Sequence, residues 1–346
     1  MIEFRRQALT ARYRSPDSEE EAEACSEIRW DPLTGRTMRI TAPRPMPPRS
    51  FFQLPELPEE ALHRRGCPFC EELEKVAPGF LPGLAGGRRR LEKGDAVLFP
   101  NLYPYGRHSA VVRLSTQHHV PITDFEHGGL TDAFALVREY VSLVRAFDSE
   151  SRYVTVTWNL LPPSGGTLVH PHWQVNLDPI PVNGFRRTRE AAANFRERTG
   201  CDFWTALVER ERMENTRVLA EIGPSVWLSP FAPEALFELW GLLPRKTRFA
   251  DLADEDASAL VTGLVRALAA YASIGRNALN MSLECDEGDS AGPAMRLRVL
   301  ARSTYRPWYR SDRTHFHVAL DESTTIISPE YVTERFRPFF QLGAED

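Results

Sequence analysis

The chain has 346 residues, of which 42% are hydrophobic and 26% are charged, as in soluble proteins with one large domain or two packed modules. The formal net charge of −5 gives no electrostatic basis for nucleic-acid binding. No run of about 18 apolar residues predicts a membrane span, and residues 1–14 lack the apolar core of a secretory signal. We therefore expect a cytoplasmic protein that binds neither nucleic acid nor membranes.

The first half of the chain reads as short strands around one helix. Residues 1–24 are polar and charged, and we expect them to form a flexible N-terminal arm. Asp31 to Gly35 have turn chemistry between two strand-like runs, which predicts a hairpin over 27–41. Residues 43–58 are rich in proline and predict an extended segment. The elements predicted after them are strands at 96–100, 109–114, 153–158 and 168–175, and an amphipathic helix at 130–147.

The second half carries a weak internal echo of the first. Residues 183–215 are rich in arginine, glutamate and alanine and predict a helical connector. The elements predicted beyond it are strands at 225–231, 238–244, 280–283 and 295–300, and a helix at 252–271. We therefore expect two copies of one strand–strand–helix–strand–strand unit, over 25–182 and 216–346. Arg296 and Arg298 take the places of His170 and His172, which predicts a degenerate second copy.

Three polar residues alternate along the predicted strand at 168–175: His170, His172 and Gln174. Alternate side chains of a strand project to the same side, so these three can share one face. A neutral imidazole, with an unperturbed pKa near ~6.5, is a good nucleophile toward phosphorus, and a nearby amide can donate to a phosphoryl oxygen. The alternative is that His172 only forms hydrogen bonds within a polar sheet face.

The pair Cys67 and Cys70 has the spacing of metal ligands, and also that of a redox pair. A redox pair of the thioredoxin kind would follow a strand, whereas proline-rich sequence precedes Cys67, which favours half of a zinc site. His170 and either His118 or His119 would complete a Cys₂His₂ site. Four protein ligands close the coordination shell of zinc, so such a site is structural. The odd number of cysteines, five, also fits a metal site in a reducing compartment better than a disulfide framework.

At His170–Gln174 the sequence resembles the galactose-1-phosphate uridylyltransferase branch of the histidine-triad superfamily. The resemblance spans most of the chain. The other motifs that carry it are Trp30–Gly35, similar to the family's Asn-Pro-Leu-Thr-Gly signature, the cysteines at 67 and 70, Ser115-x-x-His118, and Asn159 at the family's spacing before the histidine motif.

The resemblance implies an α+β fold of two tandem histidine-triad-like halves, with antiparallel sheets forming a half-barrel, helices packed outside, and a homodimeric assembly. It implies one structural zinc ion, held by Cys67, Cys70, His118 and His170. It makes His172 the nucleophile that becomes nucleotidylated, assisted by Gln174. The substrate-binding positions that it implies are Arg44, Asn101, Asn159 and Thr167.

The sequence also departs from the family pattern. The positions of a second metal site hold Thr188, Glu284, Arg296 and Arg298, so we expect no second metal. Where the family has a second phosphate-binding arginine, this sequence has Pro47. Where the family has an acidic residue after its nucleotide-contacting asparagine, this sequence has Leu102. The family's hexose-contacting pair aligns with residues 316–318 of this sequence, where no carboxylate is present. There we expect His315 and His317 to share one face of a strand, with His317 a candidate for the acceptor pocket and a structural role as the alternative.

These features predict a nucleotidyltransferase of nucleotide-sugar metabolism, such as galactose metabolism, that works by double displacement through His172. A nucleoside diphosphate sugar is the expected donor and a sugar 1-phosphate the expected acceptor. The first alternative is a nucleotide-sugar or dinucleoside-polyphosphate phosphorylase with inorganic phosphate as acceptor. The second is a zinc-stabilised nucleotide-binding module without catalysis. The sequence leaves the base and the sugar open.

Overall fold

Two β-sheets organise the part of the chain that the computed structural model describes, residues 2–16, 18, 20–41, 53–71 and 73–341. The segment 42–52, with Arg44, Pro47 and most of the proline-rich stretch, lies outside these residues. Within them, no helix combines the length and the apolar character that a membrane crossing requires.

The larger sheet has ten strands. They are β4 (Leu91–Lys93), β5 (Ala96–Pro100), β6 (His108–Arg113), β7 (Tyr153–Leu160), β8 (His172–Asp178), β9 (Val218–Ile222), β10 (Ser225–Leu228), β11 (Leu239–Leu243), β12 (Leu279–Asp286) and β13 (Met295–Ala301). Their order is β4-β5-β6-β8-β7-β12-β13-β11-β10-β9, and neighbouring strands are antiparallel. In the described residues β4 and β9 are the two ends of this order, so the sheet does not close into a barrel.

Helices cover one face of the large sheet. They are α5 (His127–Phe147), α8 (Asp254–Ala272) and α10 (Pro329–Gln341). Along α5 the buried residues Leu130, Phe134, Val137, Val141 and Val144 recur every three or four positions, so they form one apolar stripe toward the sheet. The α+β fold with antiparallel strands and outer helices is therefore confirmed.

Strand alternation gives the large sheet its second, more polar face. Along β7 the residues Val154, Val156, Trp158 and Leu160 are buried against the helices, and the residues between them are partly exposed on the other side. We call this other side the open face. After the short helix α1 (Glu59–Leu62), the helices α2 (Pro68–Glu71) and α3 (Leu73–Val76) cover one end of the open face. The two helices of the predicted connector, α6 (Asn183–Thr199) and α7 (Phe203–Glu214), cover the other end. The short helix α4 (Pro82–Ala85) instead packs with α5 in the core on the opposite side of the sheet.

The smaller sheet contains a segment for which we expected a flexible arm. Its strands, in spatial order, are β1 (Arg6–Arg14), β2 (Glu21–Trp30), β3 (Thr37–Ile40) and β14 (Ser323–Thr325). The predicted hairpin is present as β2 and β3, and β1 adds to β2 as a further antiparallel strand. Arg12 on β1 pairs with Glu23 on β2 at 2.8 Å. Cross-strand pairs of charged side chains stabilise a sheet without the apolar alternation that marks a strand in the sequence.

The strand expected around His315 and His317 is wrong, because His315–Ala319 form a short helix, α9. The imidazole of His317 contacts the residue that precedes α9: its Nδ1 lies 3.0 Å from Thr314 Oγ1. Residues two apart on a helix point about 200° from each other. The two histidines therefore do not share a face.

Two glycines surround the indole of Trp227, which is fully buried between β11 and α8. A Cβ on Gly241 would come within 2.5 Å of the ring, and a Cβ on Gly263 would overlap it. We expect Gly263→Ala to lower the free energy of unfolding by about 3 kcal/mol, because the added methyl overpacks a closed core. Gly129→Ala on α5 meets nothing within 4 Å, so we expect it to leave the stability unchanged or raise it by at most about 1 kcal/mol. Urea denaturation of both variants checks this, and equal stabilities would contradict it.

Candidate metal centre and adjoining histidine

Four side chains from three separate segments meet at one end of the open face: Cys67, Cys70, His118 and His170. Cys67 precedes α2 and Cys70 lies within it, His118 follows β6, and His170 precedes β8. Their candidate ligand atoms all lie within 4.8 Å of one another. The structure thus brings together the four residues that the resemblance implied, and it selects His118 rather than His119.

The spacing of these atoms matches tetrahedral coordination. Cys70 Sγ lies 3.3 Å from His170 Nδ1 and 3.5 Å from His118 Nδ1, and Cys67 Sγ lies 3.7 Å from His170 Nδ1. A tetrahedral zinc ion with ordinary bond lengths would separate a sulfur and a nitrogen ligand by about 3.5 Å. The cluster can therefore hold one metal ion without rearrangement.

The outer nitrogens of both histidines contact backbone carbonyls. Nε2 of His170 lies 2.8 Å from the Ser115 carbonyl oxygen, and Nε2 of His118 lies 3.1 Å from that of Ala61. An Nε2–H that donates to a carbonyl leaves the lone pair on Nδ1, which faces the cluster in both rings. This is the usual second contact of a metal-ligating histidine, and it fixes both the tautomer and the ring orientation.

The surroundings of Cys70 make its thiol harder to ionise without a cation. Burial, together with the neighbouring Cys67, raises the pKa of the Cys70 thiol to about 11. Burial lowers the pKa of His170 to about 4, so this ring is neutral near pH 7. A bound divalent cation reverses the situation for the thiols, because a coordinating thiol loses its proton.

His172 begins β8, next to the metal cluster. Its Nδ1 lies 2.9 Å from the carbonyl oxygen of His170. The ring of Phe69 packs edge-on against both histidines, with centroid distances of 5.6 Å to His170 and 5.5 Å to His172. Burial lowers the pKa of His172, which keeps the imidazole neutral. With the Nδ1–H donated to the His170 carbonyl, the lone pair of the ring is on Nε2.

Gln174 and Asn159 share the open face with His172. Gln174 lies opposite Thr157 of β7, and continuing that register by two residues puts Asn159 beside His172. Both side chains are partly exposed. Gln174 thus lies on the same side of β8 as His172, as the alternation in the sequence predicts, and the neighbouring strand β7 adds the amide of Asn159.

The remaining candidate residues are spread more widely. Asn101 follows β5 on the same face, and its side-chain oxygen accepts a hydrogen bond from the Tyr103 backbone at 3.0 Å. Thr167 is exposed in the loop before His170. The ring of His317 contacts Thr314 and also accepts from the Thr324 backbone N–H at 3.4 Å, so both of its nitrogens have local partners.

The loop between β7 and His170 has a constrained backbone. Leu161 is buried yet has φ of 66°, a conformation that residues with a side chain rarely adopt. A Cβ on Gly166 would lie 2.6 Å from the Asn159 carbonyl oxygen. The backbone of the loop passes so close to the end of β7 that only glycine fits there.

In the second half, aromatic rings close the corresponding part of the open face. Arg296 lies between the rings of Trp240 and Trp204, with its guanidinium carbon 4.3 and 5.2 Å from their centroids. Arg298 pairs with Glu234 at 3.0 Å and with Glu238 at 2.9 Å. Thr188 lies on α6 and bonds the Gly184 carbonyl. Two arginines thus occupy positions at which the resemblance placed ligands of a second metal ion.

Two site neighbours were not identified from the sequence, Phe69 and Asn280. Phe69 stands between the two cysteines of the motif, so its place in the sequence is a signal that it lies near the metal cluster. Asn280 donates to the side-chain oxygen of Asn159 at 2.6 Å. No motif marks Asn280, because the contact joins residues that are 121 positions apart.

Several solved structures have the same fold. A galt-like protein and an ADP-glucose phosphorylase with bound ADP-glucose, both from Arabidopsis thaliana, each have a TM-score of 0.68, with 19% and 20% identity over 90% of this chain and 98% of theirs. A uridylyltransferase structure has a TM-score of 0.65 with 20% identity, over 91% of this chain and 98% of that one. At this level of identity the similarity defines the fold.

A sequence relative defines the family. An uncharacterized protein from Archaeoglobus fulgidus is 33% identical over 314 residues, which are 90% of this chain and 91% of that protein. The chain belongs to the same family as this archaeal protein. No protein-family model matches the chain.

The adjacent histidines 118 and 119 provide a direct test of the metal centre. We expect about one tightly bound metal ion per chain, and we expect His118→Ala to lose most of it because a three-ligand cluster binds metal more weakly. His119→Ala should keep the ion, because its ring is not part of the cluster. Metal analysis by mass spectrometry after dialysis measures the stoichiometry. A full equivalent in His118→Ala, or its loss in His119→Ala, would contradict the assignment.

Proposed function

We propose that the protein transfers a nucleotidyl group by double displacement through His172, between a nucleoside diphosphate sugar and a phosphate acceptor. The observation that carries the proposal is the contact between His172 Nδ1 and the His170 carbonyl at 2.9 Å. It assigns the proton to Nδ1 and leaves a neutral Nε2 with a free lone pair on the open face. The fold shared with a uridylyltransferase and an ADP-glucose phosphorylase supports the same interpretation.

In the first step His172 Nε2 attacks the α-phosphorus of the donor. The bond from this phosphorus to the bridging oxygen breaks, and the sugar 1-phosphate leaves with that electron pair. The ring now carries positive charge, which the His170 carbonyl stabilises through the Nδ1–H. In the second step an acceptor phosphate oxygen attacks the same phosphorus, the P–N bond breaks, and its electrons return to Nε2.

Two amides are proposed to stabilise the transferred group. Gln174 and Asn159 flank His172 along and across the strands, so their N–H groups can donate to phosphoryl oxygens as negative charge develops there. Asn101 lies two strands and about four residues away on the same face, roughly 15 Å by ordinary strand spacing, a reach that suits the nucleoside end of the donor. Thr167, in the adjoining loop, is proposed as a further phosphate contact, and Arg44 remains a prediction from the resemblance.

Zinc is the metal that we propose for the cluster of Cys67, Cys70, His118 and His170, since two thiolates and two imidazoles are its preferred structural ligands. When bound, it supplies a closed four-ligand tie that holds His170, and with it the carbonyl that orients His172. The positions of a second metal hold Arg296 and Arg298, whose charge disfavours a cation. We also propose a homodimer, which light scattering of the purified protein would test.

One observation favours the phosphorylase alternative, in which inorganic phosphate is the acceptor. The segment proposed to contact a hexose forms α9, and the ring nitrogens of its His317 contact Thr314 and Thr324. No carboxylate belongs to the helix His315–Ala319. A hexose hydroxyl would therefore find fewer acceptors there, whereas a small inorganic phosphate needs none of them.

We expect a covalent nucleotidyl adduct when the protein is incubated with UDP-glucose or ADP-glucose labelled in the α-phosphate. His172→Ala should form none, and Gln174→Ala should form it roughly 100-fold more slowly, because one donor to the phosphoryl group is lost. His127→Ala, an exposed histidine on α5, is the matched control and should react like the wild type. Intact-protein mass spectrometry after rapid quenching measures the adduct, and an undiminished adduct in His172→Ala would refute the mechanism.

A chase of the isolated adduct distinguishes the two acceptors. If inorganic phosphate is the acceptor, it should release the nucleotide as a nucleoside diphosphate, and galactose 1-phosphate should release little. The opposite pattern supports the transferase. Release by neither acceptor would mean that the acceptor is of another class, and it would count against both forms of the proposal.

A further inference from the structure

A chain of hydrogen bonds runs from the second half of the protein to the candidate site. The carboxylate of Asp312 accepts hydrogen bonds from Arg302 Nε and Nη2, at 2.9–3.0 and 2.7 Å. Arg302 Nη1 donates to Asn280 Oδ1 at 2.6 Å, and Asn280 Nδ2 donates to Asn159 Oδ1 at 2.6 Å. The chain ends at the residue that stands beside His172.

The chemistry of the two outer partners fixes the direction of this chain. A guanidinium can only donate, so Asn280 must turn its oxygen toward Arg302. Its nitrogen then faces Asn159 and also donates to the Ser164 carbonyl at 2.9 Å, an atom that can only accept. Asn280 therefore cannot reverse its amide without losing its contacts with Arg302 and Ser164, and with its nitrogen so directed Asn159 must present its oxygen to Asn280.

The orientation of Asn159 follows from that of Asn280. With its oxygen engaged, the Nδ2 of Asn159 is the group left for the open face, and it has no hydrogen-bond partner among the residues that the structure describes. A reversed Asn159 would present an oxygen lone pair to a phosphoryl group, which would repel it. The hydrogen-bond chain thus selects the donor end of this amide.

The same contacts hold the loop that precedes His170. The Ser164 carbonyl belongs to the turn after Leu161, whose φ of 66° is unfavourable for leucine. The hydrogen bond from Asn280 ties this turn to β12. The side chains of Arg302 and Asp312 are only 12% and 22% exposed, so water competes weakly for their ion pair.

We propose that Asn280 and Arg302 are positioning residues of the site: they orient the Asn159 amide so that its N–H groups face the phosphoryl group. This inference rests on the proposed function for its chemical meaning. It assigns the second half, whose histidine positions hold arginines, a part in the site of the first half.

Asn280→Asp is the sharpest test, because a carboxylate keeps the contact with Arg302 and removes only the donor toward Asn159 and Ser164. Asn159 should then turn its nitrogen toward the introduced carboxylate and present its oxygen to the substrate. We expect the rate of adduct formation to fall roughly 10- to 100-fold, the effect of losing one charge-assisted donor. Arg302→Met should lower it less, because the Ser164 carbonyl still accepts from the Asn280 nitrogen and favours the same orientation. The matched control is Ser282→Ala, the next residue on the same face of β12, which should stay within about twofold of the wild type.

A double-mutant cycle separates positioning from a general structural effect. If Asn280 acts through Asn159, Asn280→Asp should have no further effect in an Asn159→Ala background. The rate of adduct formation and the calorimetric affinities for ADP and UDP are measured for the four proteins of the cycle, and thermal unfolding checks their folding. Additive effects, or equal losses in Asn280→Asp and Ser282→Ala, would overturn the inference.

The affinities distinguish a failure of the inference from a failure of the proposed function. If the wild type forms no adduct but Asn280→Asp weakens ADP or UDP binding only when Asn159 is present, the function is wrong and the positioning role is supported. If the wild type forms the adduct and the cycle is additive, the function is supported and the positioning role is wrong. If the wild type neither forms the adduct nor binds ADP or UDP, both are wrong.

Discussion

The antiparallel pairing of β7 with β12 is the contact on which the rest of the structure depends. It joins eight consecutive residue pairs, from Tyr153 with Asp286 to Leu160 with Leu279. Without it, each half of the large sheet would end in an exposed strand edge with unpaired backbone groups. The pairing also fixes which side chains meet across the joint, and it places Asn159 opposite Asn280. The proposed site therefore lies next to the boundary between the halves and receives contacts from both.

The two ends of the open face are closed by aromatic side chains with different consequences. At one end Phe69 packs on Phe99 and on the rings of His170 and His172, and His172 keeps part of its surface exposed. At the other end Trp204 packs toward Trp240 and encloses the guanidinium of Arg296. The sheet is similar at both ends, so the covering helices and the residues at equivalent strand positions decide which end has a partly exposed histidine.

Much of the large sheet follows from local patterns. The alternation of Val154, Val156 and Trp158 predicts a strand with one buried face, and the three-to-four spacing of apolar residues predicts α5 and α8; all three elements are present. The apolar patterns do not predict β1 and α9, because burial of apolar side chains is not what forms these two elements. Strand β1 is mostly exposed and pairs through backbone and charged groups, and α9 begins where the Thr314 backbone and side chain contact a histidine ring. Neither leaves a periodic apolar signal in the sequence.

The sequence by itself determined which residues of the histidine strand share a face and which cysteines have metal-ligand spacing, because both depend on residues close together in the chain. Residue types and spacing could not choose between His118 and His119, since neighbours in a loop have no fixed direction, and only the family resemblance pointed to His118. The tertiary structure decided this choice, as only His118 reaches both the cluster and the Ala61 carbonyl. It also decided the orientation of Asn159, because that depends on Asn280 and Arg302, which only strand pairing over more than 100 residues brings to its side.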